Sequence, residues 1–548
     1  MARKRKVKTG RVILLVFLLL ILLASAFTVT YLIIKNNNST TPYYLASDKI
    51  ELSLSGKDDT SISLARGTLV NIKKKRVKID EVEYCQFVYD DNTYYCLESD
   101  IELDRNNCVR ETTLYTLRSH VLTTSPDSYK IAGWVGKNEL VNVTGFNELL
   151  ANGTVDYYLV NDLGYLSSTY LSNEFYETGL DSSIYYDSYE YVGGDPTKIE
   201  YYHKDPVNFE NNKMPSIVKA LYINAEAIGN ADRYIEIANN TSGINAFVVD
   251  IKDCYVDTQL AYDGYIYKEY APSTYNIPNS LEYYQKNVKK LKDAGYYLIG
   301  RITAFKDDSF ALDNPNEALE YEGELYRYGS VYWPSVYSRK MWEYDLALAS
   351  EAVELFGFNE IQFDYVRLPE DVSDVNLKNK YNESRAEAVT NFLRYATEYL
   401  HKQGVYVSAD VFGETSGYSP EFFSAWPTSY GQYWPAISNV VDAISSMPYP
   451  DHFSAYAYDI ATPWIDVYDL MYAWGRATKY AQDITYDKAL CRTWIMAQSS
   501  GVYDVEYTPS FIADQIEGLC DAGVNEGYLT WNAASSMAHY EEYEDVLN

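Results

Sequence analysis

The sequence predicts an α/β protein whose largest part is a (β/α)8 TIM barrel, preceded by one transmembrane helix and two small all-β modules. Three observations support this prediction: a long apolar run near the N-terminus, closely spaced short strands up to residue 172, and eight strand–helix units after residue 215. At about 150 residues per domain, 548 residues leave room for three or four such parts.

The composition excludes two broad classes of protein. With 46 basic and 77 acidic side chains the formal charge is −31, which is unsuited to a nucleic-acid backbone, so no nucleic-acid partner is predicted. A hydrophobic content of 47% and an aromatic content of 16% are too high for a chain that is mainly disordered. The 58 tyrosines, which are apolar and hydrogen-bonding at once, are a compositional hint of surfaces that bind sugars or other polar ligands.

Residues 1–35 are predicted to form a basic flank followed by a transmembrane signal anchor. Six basic residues and no acid occupy 1–11, and an almost continuous apolar run then extends to Ile34. The run is long enough to cross a bilayer as a helix, and the basic flank predicts a cytoplasmic N-terminus with the remainder extracellular. A signal peptide cleaved near the small residues at 24–26 is the alternative, although the apolar run continues beyond them.

Two small β modules are predicted after a polar linker at 36–46. Short alternating strands and turn residues occupy 47–105 and 106–172, and a segment rich in Tyr, Asp, Ser and Gly predicts a second linker at 173–214. The second module, which ends in GYLSSTYL, resembles bacterial SH3-like domains, and the first resembles them less closely. That resemblance implies attachment to the cell wall or another surface, with a plain spacer as the alternative.

The six cysteines are too few for a fold that depends on a disulfide framework. Cys85 and Cys96 flank a hairpin predicted to turn at Asp91-Asn92 and are a candidate pair, with Cys108 as a competitor. The remaining three cysteines show no metal-ligand spacing and are predicted to be buried thiols. They are Cys254, Cys491 and Cys520.

Residues 215–541 are predicted to form the barrel, because continuous apolar strands alternate there with amphipathic helices. The eight predicted strands are 220–225, 246–251, 297–303, 360–366, 405–412, 443–447, 489–496 and 527–531. The clearest helices are 341–356, 383–401, 467–481 and 509–522, and the glycines at their expected ends are Gly357, Gly404 and Gly523. A doubly wound open sheet is the alternative, but no glycine-rich dinucleotide fingerprint follows the first strand.

Acidic, basic and aromatic side chains gather at the predicted C-terminal ends of the barrel strands, which is where such barrels carry out chemistry. Glycosidic cleavage needs two carboxyl groups, one ionised and one able to donate a proton. The catalytic candidates are Asp364, Asp410 and Glu414. The candidates for substrate binding are Asp250, Asp253, Arg301, Tyr365, Arg367, Tyr449, His452, Trp494, Trp531 and Asn532.

Most of these candidates also have a structural interpretation. Asp364 ends an apolar strand, where a carboxylate is costly unless it is paired or functional, and Arg367 is a candidate partner for it. The remaining alternatives are ion pairs of Asp250 and Asp253 with Lys252 or Arg301, a solvated Glu414, a hydrogen-bonding His452 and core positions for Trp494 and Trp531.

Motifs for competing chemistry are absent from the sequence. It contains no P-loop, no GxSxG elbow and no HExxH spacing, and its five histidines are few for a histidine-based zinc site. The sequence therefore predicts no cofactor and no metal.

Seven blocks follow one another at barrel-like spacing: FVVDIKD (247–253), LIGRITAFKDD (298–308), GFNEIQFDYVRLP (357–369), VSADVFG (407–413), GQ (431–432), ISSMPYPDHF (444–453) and GYLTWNA (527–533). Together they resemble the glycoside hydrolase-like barrel family DUF4015. The resemblance implies a carbohydrate-active fold in which Asp364 and Asp410 stand at the family's acidic strand ends. The seventh strand departs from relatives, since it reads Trp494-Ile-Met-Ala without their carboxylate, and Val366 replaces the terminal Glu of the chitinase pattern.

The sequence accordingly predicts a membrane-anchored, extracytoplasmic glycoside hydrolase that acts on cell-surface or cell-wall polysaccharide by two-carboxylate chemistry. One alternative is a glycan-binding or wall-organising protein that has kept the cleft and lost catalysis. Another is a scaffold held mainly by its SH3-like modules. The expected partners are a wall glycan and, through the N-terminal helix, the membrane.

Overall fold

The computed structural model describes residues 9–47, 62–79, 81–175, 192–201, 203–204, 206–254, 258–273, 275–417 and 427–547. Most of the predicted basic flank, and residues 176–191 of the predicted second linker, lie outside these ranges. The chain separates into two compact units. One consists of Met1–Pro126 and Ala132–Tyr176, and the other of Asp127–Ile131 and Glu177–Asn548.

An apolar helix, Thr9–Asn37, precedes the β strands of the first unit. Its portion Ile13–Asn37 is long and apolar enough to cross a membrane, and its large apolar side chains are exposed. A signal sequence has the same length and composition, so the helix is suited to either role.

Two groups of antiparallel strands follow, each around an apolar core of its own. The first group is Thr40–Leu45, Leu69–Lys73, Val77–Ile79, Val82–Tyr89, Asn92–Cys96 and Ile101–Glu102. The second is Thr113–Thr116, His120–Thr123, Ile131–Val135, Leu140–Phe146, Tyr157–Val160, Gly164–Ser167 and Leu171–Ser172. The antiparallel sheets agree with the predicted all-β region, and their SH3-like character stays a prediction.

The hairpin of the first group brings its two cysteines opposite each other. Cys85 and Cys96 are register partners on its strands, and both are buried. The turn lies one residue earlier than predicted, at Asp90-Asp91, where φ values of 45° and 62° fit a two-residue type I′ turn. Cys108 lies in the core of the second group of strands.

The prediction that the other three cysteines are buried is right for Cys254 and Cys491 and wrong for Cys520. Cys520 is exposed because it lies on the solvent side of the helix Pro509–Asp521. The buried residues of that helix are Ile512, Gln515, Gly518 and Leu519.

Parallel strands form a nearly closed barrel in the second unit, which confirms the predicted fold. In chain order the strands are Val218–Ile223, Ala246–Asp253, Tyr297–Thr303, Glu360–Asp364, Tyr406–Phe412, Ala443–Met447, Leu490–Cys491 with Thr493–Met496, and Gly527–Trp531. The first pairs with the eighth, so the sheet returns on itself. The seventh strand is interrupted at Arg492, whose backbone N–H donates to the Ile444 carbonyl oxygen at 3.0 Å.

Helices connect the strands and cover their outer faces. They are Ala231–Asn240, Tyr267–Tyr270, Leu281–Asp293, Asp308–Asp313, Arg339–Phe356, Arg385–Lys402, Trp434–Val440, Val467–Ile484, Pro509–Asp521 and Met537–Glu542. The four helices predicted from the sequence end within three residues of their predicted bounds. Gly357 ends one of them with φ of 69°, a left-handed conformation that suits glycine.

The N-terminal end of the barrel is covered by the segment that precedes the first strand. The Asn212 side-chain amide donates to the carbonyl oxygens of Asn359 at 2.7 Å and Gly404 at 2.9 Å, which lie just before the fourth and fifth strands. Within the barrel, Glu360 accepts hydrogen bonds from Arg492 at 2.9 Å and from the Tyr297 hydroxyl at 2.9 Å. Structural contacts therefore hold this end together, and the cavity lined by the predicted site residues lies at the opposite end.

Candidate functional site

A cavity of about 380 Å³ lies at the C-terminal ends of the barrel strands. This volume is within the usual range for small-ligand sites. Of the predicted site residues it is lined by Asp253, Arg301, Asp364, Tyr365, Arg367, Tyr449, His452, Trp494 and Trp531. The structure thus brings together nine side chains from six of the eight strands and the loops that follow them.

Arg301, on the third strand, is the centre of the ionic contacts in the cavity. Its Nη1 lies 2.8 Å from Asp250 Oδ1 and 3.3 Å from Asp253 Oδ1 on the second strand. Its Nη2 and Nε lie 2.7 Å and 3.2 Å from Asp364 Oδ2 on the fourth strand. Arg301 is therefore the partner of Asp364, a role for which the sequence had offered Arg367.

Asp364 ends its strand on a backbone that adopts an unusual conformation. The next residue, Tyr365, has φ of 51°, which is uncommon for a bulky side chain and typical of functional sites when it occurs. This turn directs the Tyr365 N–H to Asp364 Oδ1 at 2.6 Å. Both carboxylate oxygens of Asp364 thus accept hydrogen bonds. Oδ2 accepts two from the Arg301 guanidinium and Oδ1 accepts one from the Tyr365 N–H, and such donors stabilise a negative charge.

Asp410 lies on the neighbouring fifth strand in a different environment. Phe363 and Ala409 are register partners, so Asp364 and Asp410 occupy equivalent positions on adjacent strands. Asp410 is 0% exposed, and its Oδ1 accepts from Trp494 Nε1 at 2.8 Å. Its Oδ2 is buried and accepts no hydrogen bond from the residues that the structure describes. Burial, with a further contribution from the Asp364 charge, holds the pKa of Asp410 well above its ordinary value.

Asp250 lies below the cavity floor and does not line it. It is fully buried and accepts from the Tyr222 hydroxyl at 2.6 Å as well as from Arg301. Burial raises the pKa of Asp250 to about 7, and the Arg301 charge opposes that shift. Lys252 pairs elsewhere, with Asp307 at 2.9 Å and with Asp345 at 3.0 Å, so it takes no part in the predicted network with Asp250.

Three aromatic rings form one side of the cavity. The Tyr449 and Trp531 rings are stacked, with centroids 6.2 Å apart and planes inclined by 26°. Trp494 meets Trp531 edge-on at 6.0 Å. Trp494 is 1% exposed and therefore acts mainly as a core residue and as the donor to Asp410, whereas Trp531 is half-buried.

Glu414 lines a neighbouring cavity of about 400 Å³ and is exposed there. Its Oε1 accepts from the Tyr430 hydroxyl at 2.8 Å. The two cavities share three lining residues, which are Phe412, Met447 and His452. They are therefore adjacent parts of one open end of the barrel.

Asn532 was predicted to bind substrate, but its side chain makes structural contacts instead. It is 1% exposed, and its side chain donates to the Ala497 carbonyl oxygen at 2.9 Å and accepts from the Ser536 N–H at 3.1 Å. These contacts hold the loop after the eighth strand.

Four further residues line the first cavity without having been singled out as site candidates: Cys254, Lys306, Phe412 and Met447. All four end a strand or lie in the loop just after one, and this position is the signal by which the sequence could have found them. Burial raises the pKa of the Cys254 thiol to about 12, so it is protonated at neutral pH.

The sequence of the barrel region matches one family model. Residues 220–537, which are 318 of the 548 residues, match DUF4015, described as "Putative glycosyl hydrolase domain". The chain belongs to the DUF4015 family. All thirteen candidate site residues lie within this DUF4015 domain, and the predicted resemblance is confirmed. No curated protein matches the chain.

Several solved structures are similar to the chain. A hypothetical protein from Ruminiclostridium thermocellum ATCC 27405 is 33% identical, with a TM-score of 0.30, and the match covers 35% of this chain and 97% of that one. The PgaB (BpsB) glycoside hydrolase domain from Bordetella bronchiseptica is 13% identical, with a TM-score of 0.45, over 61% of this chain and 99% of that one. The spore cortex-lytic enzyme SleL from Bacillus megaterium QM B1551 is 11% identical, with a TM-score of 0.36, over 62% of this chain and 75% of that one.

Proposed function

We propose that this DUF4015 protein is a membrane-anchored glycoside hydrolase that cleaves cell-surface or cell-wall polysaccharide on the outside of the cell. The observation that carries the proposal is a pair of aspartates on adjacent strands of the barrel, held in two different states. Asp364 is ion-paired with Arg301, whereas burial raises the pKa of Asp410. Glycosidic cleavage needs two carboxyl groups, one of which donates a proton, and the raised pKa of Asp410 suits it to be the donor.

In the proposed reaction Asp364 attacks the anomeric carbon or stabilises the positive charge that develops there. Arg301 and the Tyr365 N–H hold its carboxylate in one orientation. Asp410 donates its proton to the oxygen of the leaving sugar and then accepts one from the attacking water. The reaction needs only these two carboxyl groups and water, so the proposal includes no cofactor.

The burial of Asp410 makes Glu414 the competing acid. Asp410 is 0% exposed, so a sugar oxygen reaches it only after a side chain above it moves. Glu414 is already exposed in the adjoining cavity. We favour Asp410 because it lies next to Asp364 in the strand register, as a single bond flanked by two carboxyl groups requires.

The test of the proposal is Asp364→Asn, assayed by release of reducing ends from wall polysaccharide of the producing cells. The amide keeps an oxygen acceptor for Arg301 but supplies no charge, so we expect folding to be retained and hydrolysis to fall below detection. Asp293→Asn is the matched control, because Asp293 is 61% exposed and, among the residues that the structure describes, pairs only with Lys289 on the surface of a helix. Hydrolysis at the wild-type rate by Asp364→Asn would falsify the assignment.

A glycan-binding protein without catalysis is the second candidate function. Two observations favour it: the seventh strand carries no carboxylate in Thr493–Met496, and Asp410 has no exposed surface. Retention of the polysaccharide by the wild-type protein, with no reducing ends released over long incubation, would decide for this alternative.

The proposed location depends on the N-terminal helix. Its length and apolar composition suit a membrane anchor, and the six basic residues before and at its start suit a cytoplasmic N-terminus. An anchored barrel outside the cell would meet surface and wall glycans directly.

A further inference from the structure

We infer that the cavity binds a negatively charged sugar through two cations, Lys306 and Arg367. The inference rests on the proposed function and deepens it by naming the chemical class of the substrate. The charged group is a carboxylate or a phosphate on the sugar unit that lies next to Asp364.

Arg301 is not the group that would bind such an anion. Its Nη1, Nη2 and Nε already lie within 3.3 Å of carboxylate oxygens of Asp250, Asp253 and Asp364. Its charge is therefore balanced inside the protein, and the same contacts reduce the repulsion that Asp253 and Asp364 would exert on an incoming anion.

Lys306 lines the cavity without an ionic partner. It forms no salt bridge and no side-chain hydrogen bond with any residue in the described part of the chain. Its Nζ lies 4.5 Å from the centre of the Tyr365 ring and 5.9 Å from that of Trp333. Aromatic faces hold an ammonium group in place while leaving its N–H donors free.

Arg367 lies on the same aromatic cluster and is 7% exposed. Its Nη1 donates to the Leu368 carbonyl oxygen at 3.0 Å, and no carboxylate in the described ranges pairs with it. The guanidinium carbon lies 5.1 Å from the centre of the Tyr365 ring and 4.1 Å from that of Phe412. Both cations thus lie within about 5 Å of the centre of one tyrosine ring, and both line the same cavity.

The charged side chains that line the cavity carry a net positive charge, whereas the chain as a whole is strongly negative. Across the chain 77 acidic residues outnumber 46 basic ones, yet the cavity is lined by three cations and two carboxylates among the residues described. Arg367 is buried and Lys306 is half-buried, so the absence of carboxylate partners is costly, and a bound anion would offset that cost. Trp333, whose ring lies beside both, adds a buried Nε1–H with no acceptor in the described residues.

The two side chains fit a planar or tetrahedral oxyanion. A guanidinium binds carboxylate and phosphate through paired N–H groups, and an ammonium adds a compact point charge. Tyr365 directly follows Asp364 in the chain, so an anion held over its ring belongs to the sugar whose bond is cleaved or to its neighbour.

The experiment measures binding to three forms of one polysaccharide preparation from the wall of the producing cells. One form is untreated, one has its carboxyl groups reduced to alcohols, and one has its phosphates removed with hydrofluoric acid. Affinity electrophoresis measures binding whether or not hydrolysis occurs. We expect one of the two treatments to weaken binding at least about tenfold, which identifies the carboxylate or the phosphate as the anion.

The variant Lys306→Gln links that result to the cavity. We expect it to weaken binding of the untreated form about tenfold, to raise KM more than it lowers kcat, and to bind all three forms equally. Lys306→Arg should restore most of the affinity. Lys289→Gln, at a side chain that is 67% exposed, is the control and should bind as the wild type does.

Two outcomes overturn the inference, and they differ in what they say about the proposed function. Equal binding and hydrolysis of all three forms by the wild type, unchanged in Lys306→Gln, would mean a glycosidase for neutral sugars. No binding to any form would contradict both proposals. Selective binding of the untreated form without hydrolysis would keep the anion site and refute catalysis.

Discussion

Asp364 and Asp410 are both aspartates, but they lie in different environments. The proposed chemistry depends on this difference in environment. Asp364 accepts hydrogen bonds from Arg301 and from a backbone N–H, and it lines the cavity. The Asp410 carboxyl group accepts one hydrogen bond from the described residues, that of the neutral Trp494 indole, and Asp410 has no exposed surface. Burial in apolar surroundings raises the pKa of Asp410, whereas Asp364 is held in place by the cation beside it.

The pH dependence of hydrolysis should identify the acid. Because burial raises the pKa of Asp410, its proton persists to a higher pH than that of an ordinary aspartic acid, and we expect the rate to fall on the alkaline side as Asp410 ionises. Asp410→Asn should lower kcat by about 10²–10⁴-fold and remove that alkaline limb. Glu414→Gln should hydrolyse the substrate at the wild-type rate and show the same decrease in rate at alkaline pH. If the limb disappears in Glu414→Gln and remains in Asp410→Asn, the proton comes from Glu414.

At the level of strands and hairpins, the pairing of the fourth and fifth barrel strands sets the spacing of the two carboxyl groups. Neighbouring strands lie about 4.8 Å apart, and the register places Asp364 and Asp410 at the same height. Carboxyl groups about 5–5.5 Å apart are typical of glycosidases that retain the anomeric configuration. Proton NMR of the first product should therefore show the configuration of the substrate, and inversion at the earliest time point would mean a more distant second carboxyl group.

The cysteine hairpin of the first unit should form a disulfide in an oxidising compartment. Cys85 and Cys96 face each other across Val82–Tyr89 and Asn92–Cys96, and both belong to one core. Oxidation by glutathione disulfide should remove two thiols, and peptide mass spectrometry should find this pair cross-linked with Cys108 still reduced. We expect the bond to stabilise this group of strands by about 2–3 kcal/mol, measured by denaturation against Cys85→Ser. A cross-link to Cys108 would contradict the observed register.

At the level of the whole molecule, buried carboxyl groups should make the barrel less stable as the pH rises. Burial raises the pKa of Asp345 to about 7, although Lys252 lies 3.0 Å away. The folded state then binds a proton that the unfolded state has released, so the stability that this proton supplies decreases between about pH 4 and pH 7.

The variant Asp345→Asn tests this linkage. An amide cannot ionise, so the loss of unfolding free energy between pH 5 and pH 7.5 should be smaller than in the wild type by about 2–3 kcal/mol. Urea denaturation of the barrel at the two pH values measures the difference. Asp293→Asn, at an exposed position, should leave the pH dependence unchanged. An unaltered slope in Asp345→Asn would mean that the Lys252 charge keeps Asp345 ionised.

The eight barrel strands and the acids at their ends could be predicted because the signals for them are local. Apolar runs form buried strands, and a left-handed glycine such as Gly357 ends a helix, wherever the chain later packs. The sequence also allowed an ion pair between Arg301 and Asp250, which the structure contains. For Asp364 the sequence offered Arg367 as the ion-pair partner, but in the structure Arg301 is that partner.

The properties that make the site a candidate for catalysis come from packing between segments far apart in the chain. Trp494 covers Asp410 from 84 residues away, and this burial, which raises its pKa, has no local signature in the sequence. The same holds for Lys306 and Arg367, which lie near one tyrosine ring and pair with no carboxylate in the described part of the chain. Composition and periodicity are local quantities and specify which residues stand at the strand ends. The charge state and the partner of each residue depend on its surroundings, which exist only after the barrel closes.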